Sequence, residues 1–162
     1  MHSRIFQLSE KRIPESEYMQ LSFYYDHWFT NEIADWIDES DRNDDIEWLK
    51  SVYSDGVVYG EDDNGQYLIV ESKKKIFAPK FEEFKRFLGK LQNVSLEDFS
   101  KSVDGCGDDV FYLCDAYEDK LSFYVALKGD YDVTETITFD YFIRRCRTNT
   151  KYYIGNTIDY HY

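Results

Sequence analysis

Proline, cysteine and histidine are scarce in this sequence, and their placement argues against several classes of protein. The two prolines, Pro14 and Pro79, leave no proline-rich linker. The three cysteines form neither a dense disulfide framework nor a Cys-x-x-Cys pair, and the three histidines lack the His-Glu-x-x-His spacing of zinc enzymes. We therefore expect reduced thiols and no bound metal.

Long apolar runs are also missing. No segment approaches the roughly 20 apolar residues of a transmembrane helix, and the first residues lack the apolar stretch of a signal peptide. No repeat, linker or low-complexity run divides the 162 residues. We expect a single domain over residues 1–162, located in the cytoplasm and without membrane contact.

Local catalytic motifs are absent as well. The glycine-rich string from Gly105 to Asp109 lacks the Lys-Ser or Lys-Thr of a phosphate-binding loop, and no Gly-x-Ser-x-Gly is present. A calcium-like string begins at Asp41, but Ile46 replaces its required glycine and Val52 its bidentate glutamate. The sequence predicts no cofactor and favours a non-enzymatic protein.

Two kinds of enzyme nevertheless stay open, because an active site can join residues that are distant in sequence. One is a thiolate enzyme pairing a cysteine with a histidine, which would use Cys106, Cys114 or Cys146 with His27 or His161. The other is a glycosidase with two carboxylates about 5–10 Å apart. Acidic neighbours such as Asp108-Asp109 rarely point at one bond.

Acidic charge is what the chain has in excess. Its 32 acids and 19 bases give a net charge of −13, which repels nucleic acids and favours a basic protein partner. Residues 26–65 contain thirteen acids against Arg42 and Lys50, whereas residues 66–101 contain eight bases against five acids. We expect an uneven charge distribution, although solubility alone accounts for many of these acids.

Aromatic residues make up 19% of the chain, including 15 tyrosines, and half-exposed aromatic rings are typical of recognition surfaces. The leading hypothesis is a non-enzymatic interaction protein, in one version an inhibitor or immunity-type protein that masks a partner's basic, nucleic-acid-binding surface. The candidate binding acids are Asp35, Asp38, Glu39, Asp41, Asp44, Asp45 and Glu47, and the candidate aromatic anchors are Tyr25, Trp28 and Tyr53. A third alternative is self-association through the basic helix at residues 80–90.

The apolar periodicity predicts an α+β fold, with helices mainly in the N-terminal part, one β-hairpin, and an antiparallel meander in the C-terminal part. Asn64-Gly65 predicts a type I′ hairpin turn. The first helix would place Ile33, Trp36 and Ile37 on one face, the second would be capped by Asp44, and a third would begin at Pro79. Predicted strands cover residues 110–117, 121–127, 133–143 and the tail from 151.

Overall fold

The computed structural model describes residues 1–101, 106–118, 122–128 and 133–162, and it shows a mixed α+β architecture around one sheet. The strands are β1 (His2–Ser9), β2 (Trp36–Glu39), β3 (Val57–Asp62), β4 (Gly65–Val70), β5 (Tyr124–Lys128), β6 (Val133–Thr138) and β7 (Lys151–His161). The helices are α1 (Trp28–Glu32), α2 (Arg42–Val52), α3 (Lys73–Leu91), α4 (Leu96–Ser100), α5 (Gly107–Glu118) and α6 (Phe139–Arg145). The α+β class is thereby confirmed.

The sheet is organised around β7. Its order is β3-β4-β7-β1-β5-β6, and β1 runs antiparallel along one edge of β7. The opposite edge of β7 is shared, because β4 pairs with residues 151–153 and β2 pairs with residues 158–161. β1 and β5 are parallel neighbours. The predicted antiparallel meander is therefore wrong.

Both faces of the sheet are covered. On one face Phe6, Leu8 and Val125 lie in a core closed by α2, α3 and α6. On the other face Ile5 and Tyr160 lie in a second core, which α1 and the 3-10 turn at Leu21–Tyr24 cover. Strands buried on both sides are apolar on both sides. This is why Tyr124, Val125 and Ala126 are all buried in succession.

The predicted hairpin is confirmed, but its turn type is wrong. β3 and β4 pair from Val57↔Val70 to Asp62↔Gly65. Gly65 has a φ of +114°, whereas Asn64 does not have positive φ. A type I′ turn needs positive φ at both central residues, and Asn64 does not meet this condition. Gly65 is instead the first residue of β4, where its backbone adopts the positive φ.

Three helix predictions need correction in their boundaries. Trp36 and Ile37 belong to β2 and not to a helix, because the chain pairs with β7 there. Asp41 caps α2, since its side chain accepts hydrogen bonds from the backbone N–H groups of Asn43 and Asp44. α3 begins at Lys73 behind a Ser72 cap, so the exposed Pro79 lies inside it.

Two predicted strands in the C-terminal part are helical. Residues 110–117 lie in α5, whose first turn carries Asp108 and Asp109, acids that favour a helix N-terminus. The predicted strand over residues 133–143 ends at Thr138, whose side chain accepts a hydrogen bond from Tyr141 N and caps α6. Leu121 and Gly105 lie outside the described residues. No helix in the described ranges is long and apolar enough to cross a membrane.

Candidate functional site

Polar side chains from three strands meet at one end of the sheet. In the register of the strands, Trp36 and His2 both lie beside His161 of β7. Asp159 lies two positions before His161 on β7, and it is paired with Arg4 of β1 and with Asp38 of β2. Paired residues of antiparallel strands project from the same face. We call this region, together with Asp35, Asp45 and Trp48, the tryptophan surface.

Arg4 holds this surface together. Its Nε lies 2.5 Å from Asp45 Oδ1, and its guanidinium also donates to Asp159. The guanidinium carbon lies 5.1 Å from the ring centroid of Trp48. Asp45 is 3% exposed, and its Oδ2 has no hydrogen-bond partner among the described residues. Arg4 therefore balances a buried carboxylate while it supports an exposed tryptophan.

Two histidines, His2 and His161, belong to the tryptophan surface. His161 Nδ1 lies 2.7 Å from Asp35 Oδ1, and this hydrogen bond lowers the pKa of Asp35. His2 Nδ1 lies 2.9 Å from Asp159 Oδ2, and the His2 ring meets the Trp36 ring edge-on at 6.2 Å. Each histidine thus contacts a carboxylate, and His2 also contacts an exposed aromatic ring.

All three tryptophans of the chain are partly exposed. Trp36 is 49% exposed and Trp48 is 38% exposed, both on the tryptophan surface. Trp28 is 42% exposed and lines a separate cavity of about 560 Å³ beside β6, together with Tyr117 and Tyr141. Large apolar rings are normally mostly buried. All three rings of the acidic segment therefore keep more than a third of their surface exposed.

The acids around the tryptophan surface are poorly neutralised by neighbours. Asp38, Glu39, Asp41 and Asp44 are exposed and make no salt bridge within the described ranges. Glu47 pairs with Lys50 at 2.5 Å. The negative charge of residues 26–65 is therefore largely presented to solvent.

Arg42, the other base of this segment, faces inward. Its Nε donates to the Gly155 carbonyl at 2.6 Å and its Nη2 to the Ile154 carbonyl at 2.8 Å, while Nη1 reaches Gln66 Oε1 at 2.6 Å. These carbonyls lie on the β7 edge between the stretches paired with β4 and β2. Arg42 fills the gap in the ladder, so its hydrogen bonds are directed away from the acids of the surface.

The structure disperses the residues predicted to bind a partner. Asp35 and Asp38 lie on the tryptophan surface, Asp45 is buried beneath it, and Glu39, Asp41, Asp44 and Glu47 are exposed on β2 and α2 or just before α2. Tyr25 is exposed just before α1, and Trp28 is the exposed first residue of α1. Tyr53 is buried and donates its hydroxyl to Asp140 Oδ1 at 2.9 Å, so its ring is not a surface anchor.

Two residues of the enzymatic alternatives, Cys146 and His27, make hydrogen bonds within the fold. Cys146 is buried, its thiol donates to the Ile143 carbonyl, and burial raises its pKa. Burial lowers the pKa of His27, whose Nδ1 accepts the Phe29 N–H at the start of α1. Cys114 is exposed on α5 and does not lie on a buried strand. In the described part of the chain, no group of three or more His, Cys, Asp or Glu side chains is arranged to hold a metal.

The fold and this site together define a mixed α+β protein with an acidic, tryptophan-bearing end. No protein-family model, curated protein or solved structure matches the chain significantly.

Sequence reasoning missed Arg4, Trp36, Trp48 and Asp159 as members of one site. Arg4 and Asp159 are 155 positions apart, and only strand pairing brings them together. One signal was present in the sequence, because all three tryptophans fall within residues 26–65, where thirteen acids are found. A segment that combines tryptophans with many uncompensated charges is unusual in a hydrophobic core.

Proposed function

We propose that this protein is a non-enzymatic interaction protein whose tryptophan surface binds a basic face of another protein. The observation that carries the proposal is the exposure of Trp36 and Trp48 beside carboxylates that have no local basic partner among the described residues. Tryptophan is the residue most enriched among those that dominate binding energy. Exposed carboxylates accelerate the approach of a positively charged partner.

The two kinds of residue would act at different stages of binding. Asp38, Glu39 and Asp44 would attract the partner from a distance, with a strength that falls as ionic strength rises. Trp36 and Trp48 would then make the desolvated contacts, including stacking on arginine or lysine side chains of the partner. In the absence of a partner, Arg4 and Asp45 hold Trp48 in position.

A more specific version of the proposal is that the protein is an inhibitor or an immunity-type protein. A nuclease or another nucleic-acid-binding enzyme carries a basic groove for phosphates, and a row of carboxylates on a rigid element fits the same groove. The net charge of −13 supports this version, because it disfavours binding to nucleic acid itself. Asp38, Asp41 and Asp44 would then occupy positions that phosphates otherwise take.

The tryptophans are tested by affinity capture from the native cell. The bait is the wild-type chain, and the test variant carries Trp36→Ala and Trp48→Ala. We expect a basic protein that the wild type retains and the double variant releases, with an affinity loss of about 100-fold. The matched control, Phe99→Ala with Val58→Ala, removes exposed apolar side chains elsewhere and should retain the partner. Equal retention by both double variants would contradict the proposal.

The acids are tested by association kinetics with the captured partner. The variant Asp38→Asn, Glu39→Gln, Asp44→Asn should associate about tenfold more slowly at low salt and converge on the wild type at high salt. The control Asp55→Asn, Glu61→Gln, Asp63→Asn removes the same charge from exposed positions on and near the hairpin. If both triple variants slow association equally, net charge and not the tryptophan surface is responsible.

A further inference from the structure

A cavity of about 570 Å³ lies at the end of β1 that is remote from the tryptophan surface. Arg4, near the start of β1, belongs to the tryptophan surface, whereas Leu8 and Ser9, at the end of β1, line the cavity. The five steps of strand from Arg4 to Ser9 span about 17 Å. The cavity volume is in the range of small-molecule sites. The cavity is therefore a separate candidate site.

Two parallel strands end at this cavity. β1 and β5 are paired in the register Leu8↔Leu127, and they end at Ser9 and Lys128. The last two residues of both strands line the cavity. In open sheets with parallel strands, ligands bind in the crevice beyond the carboxyl ends of the strands. The position of the cavity in the sheet is thus a favourable one for a ligand.

The floor of the cavity is apolar. It includes Leu8 and Phe142, which are buried in the first core, and Leu127 and Ile137, which are partly buried and pack against that core. Leu127 and Ile137 keep some exposure to solvent. An apolar group that covers these two side chains removes apolar surface from water, which is favourable. The floor therefore suits the hydrocarbon part of a ligand.

Bases outnumber acids among the residues that line the cavity. The acids are Glu10 and Glu17, and the bases are Lys11, Arg12, Lys128 and Arg145. Four bases against two acids give the described lining a surplus of two positive charges, in a chain whose net charge is −13. The surplus stays at two when the ion-pair partners outside the lining, Arg147 and Glu135, are added. The cavity is therefore a basic site on an acidic protein.

The bases retain donors for a ligand. Arg145 contacts both oxygens of Glu135 through Nη1, at 2.8 and 3.0 Å, and this leaves the rest of its guanidinium for other contacts. Arg12 is exposed and makes no ion pair within the described ranges. The Lys128 side chain is only 9% exposed, and its Nζ lies 2.9 Å from Glu17, whose side chain is 49% exposed. A second anion would stabilise this largely buried charge further.

We infer that this cavity binds a small amphipathic anion. A carboxylate or phosphate head group contacts Arg12, Lys128 and Arg145, and an apolar chain covers Leu127 and Ile137. The net charge of −13 does not prevent this binding, because exposed charges more than about 8 Å apart are largely screened at physiological ionic strength. The site is separate from the tryptophan surface and does not depend on the proposed function.

A series of straight-chain carboxylates tests the combination of head group and floor. In isothermal titration calorimetry, octanoate should bind with a dissociation constant of about 100 µM. Hexanoate and butanoate should bind about threefold more weakly for each methylene removed, because each buried methylene contributes to affinity. Equal affinities of butanoate and octanoate would contradict the amphipathic site, since charge alone would then explain the binding.

The head group is tested with other eight-carbon probes. Octanol and octyltrimethylammonium should bind at least tenfold more weakly than octanoate, because neither can accept charge-assisted hydrogen bonds from the bases. Octanol that binds as tightly as octanoate would overturn the role of the bases. Octyl phosphate distinguishes the two anionic classes: tighter binding than octanoate assigns the site to phosphate esters, and weaker binding assigns it to carboxylates.

Matched charge variants test the location of the site. Arg12→Gln with Arg145→Gln should weaken octanoate binding about tenfold or more, while the thermal midpoint changes little because both side chains are exposed. The control Lys74→Gln with Lys75→Gln removes the same charge from exposed positions on α3 and should bind octanoate like the wild type. Equal weakening by both double variants would assign the effect to net charge and overturn the site.

Absence of saturable octanoate binding up to about 5 mM, well above the expected dissociation constant, would overturn the inference as a whole. This experiment needs no partner protein, so its failure leaves the proposed function intact. Conversely, the variant Trp36→Ala with Trp48→Ala should bind octanoate like the wild type even where it releases the basic partner. The two proposals can therefore fail separately.

Discussion

Individual arginines connect distant parts of this chain. Arg4 joins β1 to α2 and β7 through two carboxylates, while Arg42 joins α2 to β4 and β7 mainly through backbone carbonyls. A planar guanidinium with five donors suits both tasks, and lysine would satisfy neither geometry. The positions of the candidate site residues depend on these two side chains.

Removing Arg4 should be costly because Asp45 would become an uncompensated buried charge. We expect Arg4→Met to lower the free energy of unfolding by about 3 kcal/mol. Combining it with Asp45→Leu should recover much of this loss, because the buried charge is then gone. Urea denaturation of the two single variants and the double variant measures the coupling. Strictly additive losses would show that Arg4 and Asp45 do not interact energetically.

The ion pair of the hairpin should make stability depend on pH. The hydrogen bond from Lys151 Nζ, at 2.6 Å, is the main cause that lowers the pKa of Asp62 below its ordinary value of 3.8. The unfolded chain binds the proton more readily, so this stabilisation is complete above pH 3.8 and is lost as pH falls through the folded pKa.

The Asp62–Lys151 pair also makes the stability depend on pH in the alkaline range. The hydrogen bond to Asp62 raises the pKa of Lys151 above 10.5, so its contribution is present below pH 10.5 and is lost as pH rises through the folded pKa. Asp62→Asn should flatten both limbs of the stability profile, measured as thermal midpoint against pH. Asp63→Asn, a change of equal charge at the adjacent exposed residue, should leave both limbs intact.

Helices and turns with clear local signals could be predicted from the sequence, whereas the pairing of strands could not. The hairpin and α2 follow from turn residues, caps and apolar periodicity. Residues 36–39 and 110–117 were assigned the wrong structure because their apolar pattern fits both helix and strand, and tertiary contacts decide between them. The tryptophan surface could not be predicted at all from spacing, because it depends on the register of β7.

Two glycines with opposite backbone requirements give a matched test of the hairpin. Gly65 has a φ of +114° and open space where a Cβ would lie, so Gly65→Val should cost about 1–2 kcal/mol through backbone strain alone. Gly89 lies within α3 with equally open space, and Gly89→Ala should stabilise by about 0.5–1 kcal/mol. Chemical denaturation measures both. A neutral Gly65→Val would contradict the turn geometry.

At the scale of the molecule, acids and bases belong to different elements. The acidic segment supplies β2, α2 and the tryptophan surface, while α3 is the basic element. Opposed charge allows two surfaces to act without competing, since a basic partner is attracted to one and repelled by the other.

The central position of β7 affects how the chain can fold during its synthesis on the ribosome. The other strands of the described sheet are synthesised before residues 151–161, yet within that sheet β7 alone connects the β3-β4 hairpin to the β1-β5-β6 half. Until that last strand emerges, the edges of β1 and β4 that pair with it remain open, which exposes the nascent chain to mispairing. The complete sheet can therefore form only after residues 151–161 have been synthesised.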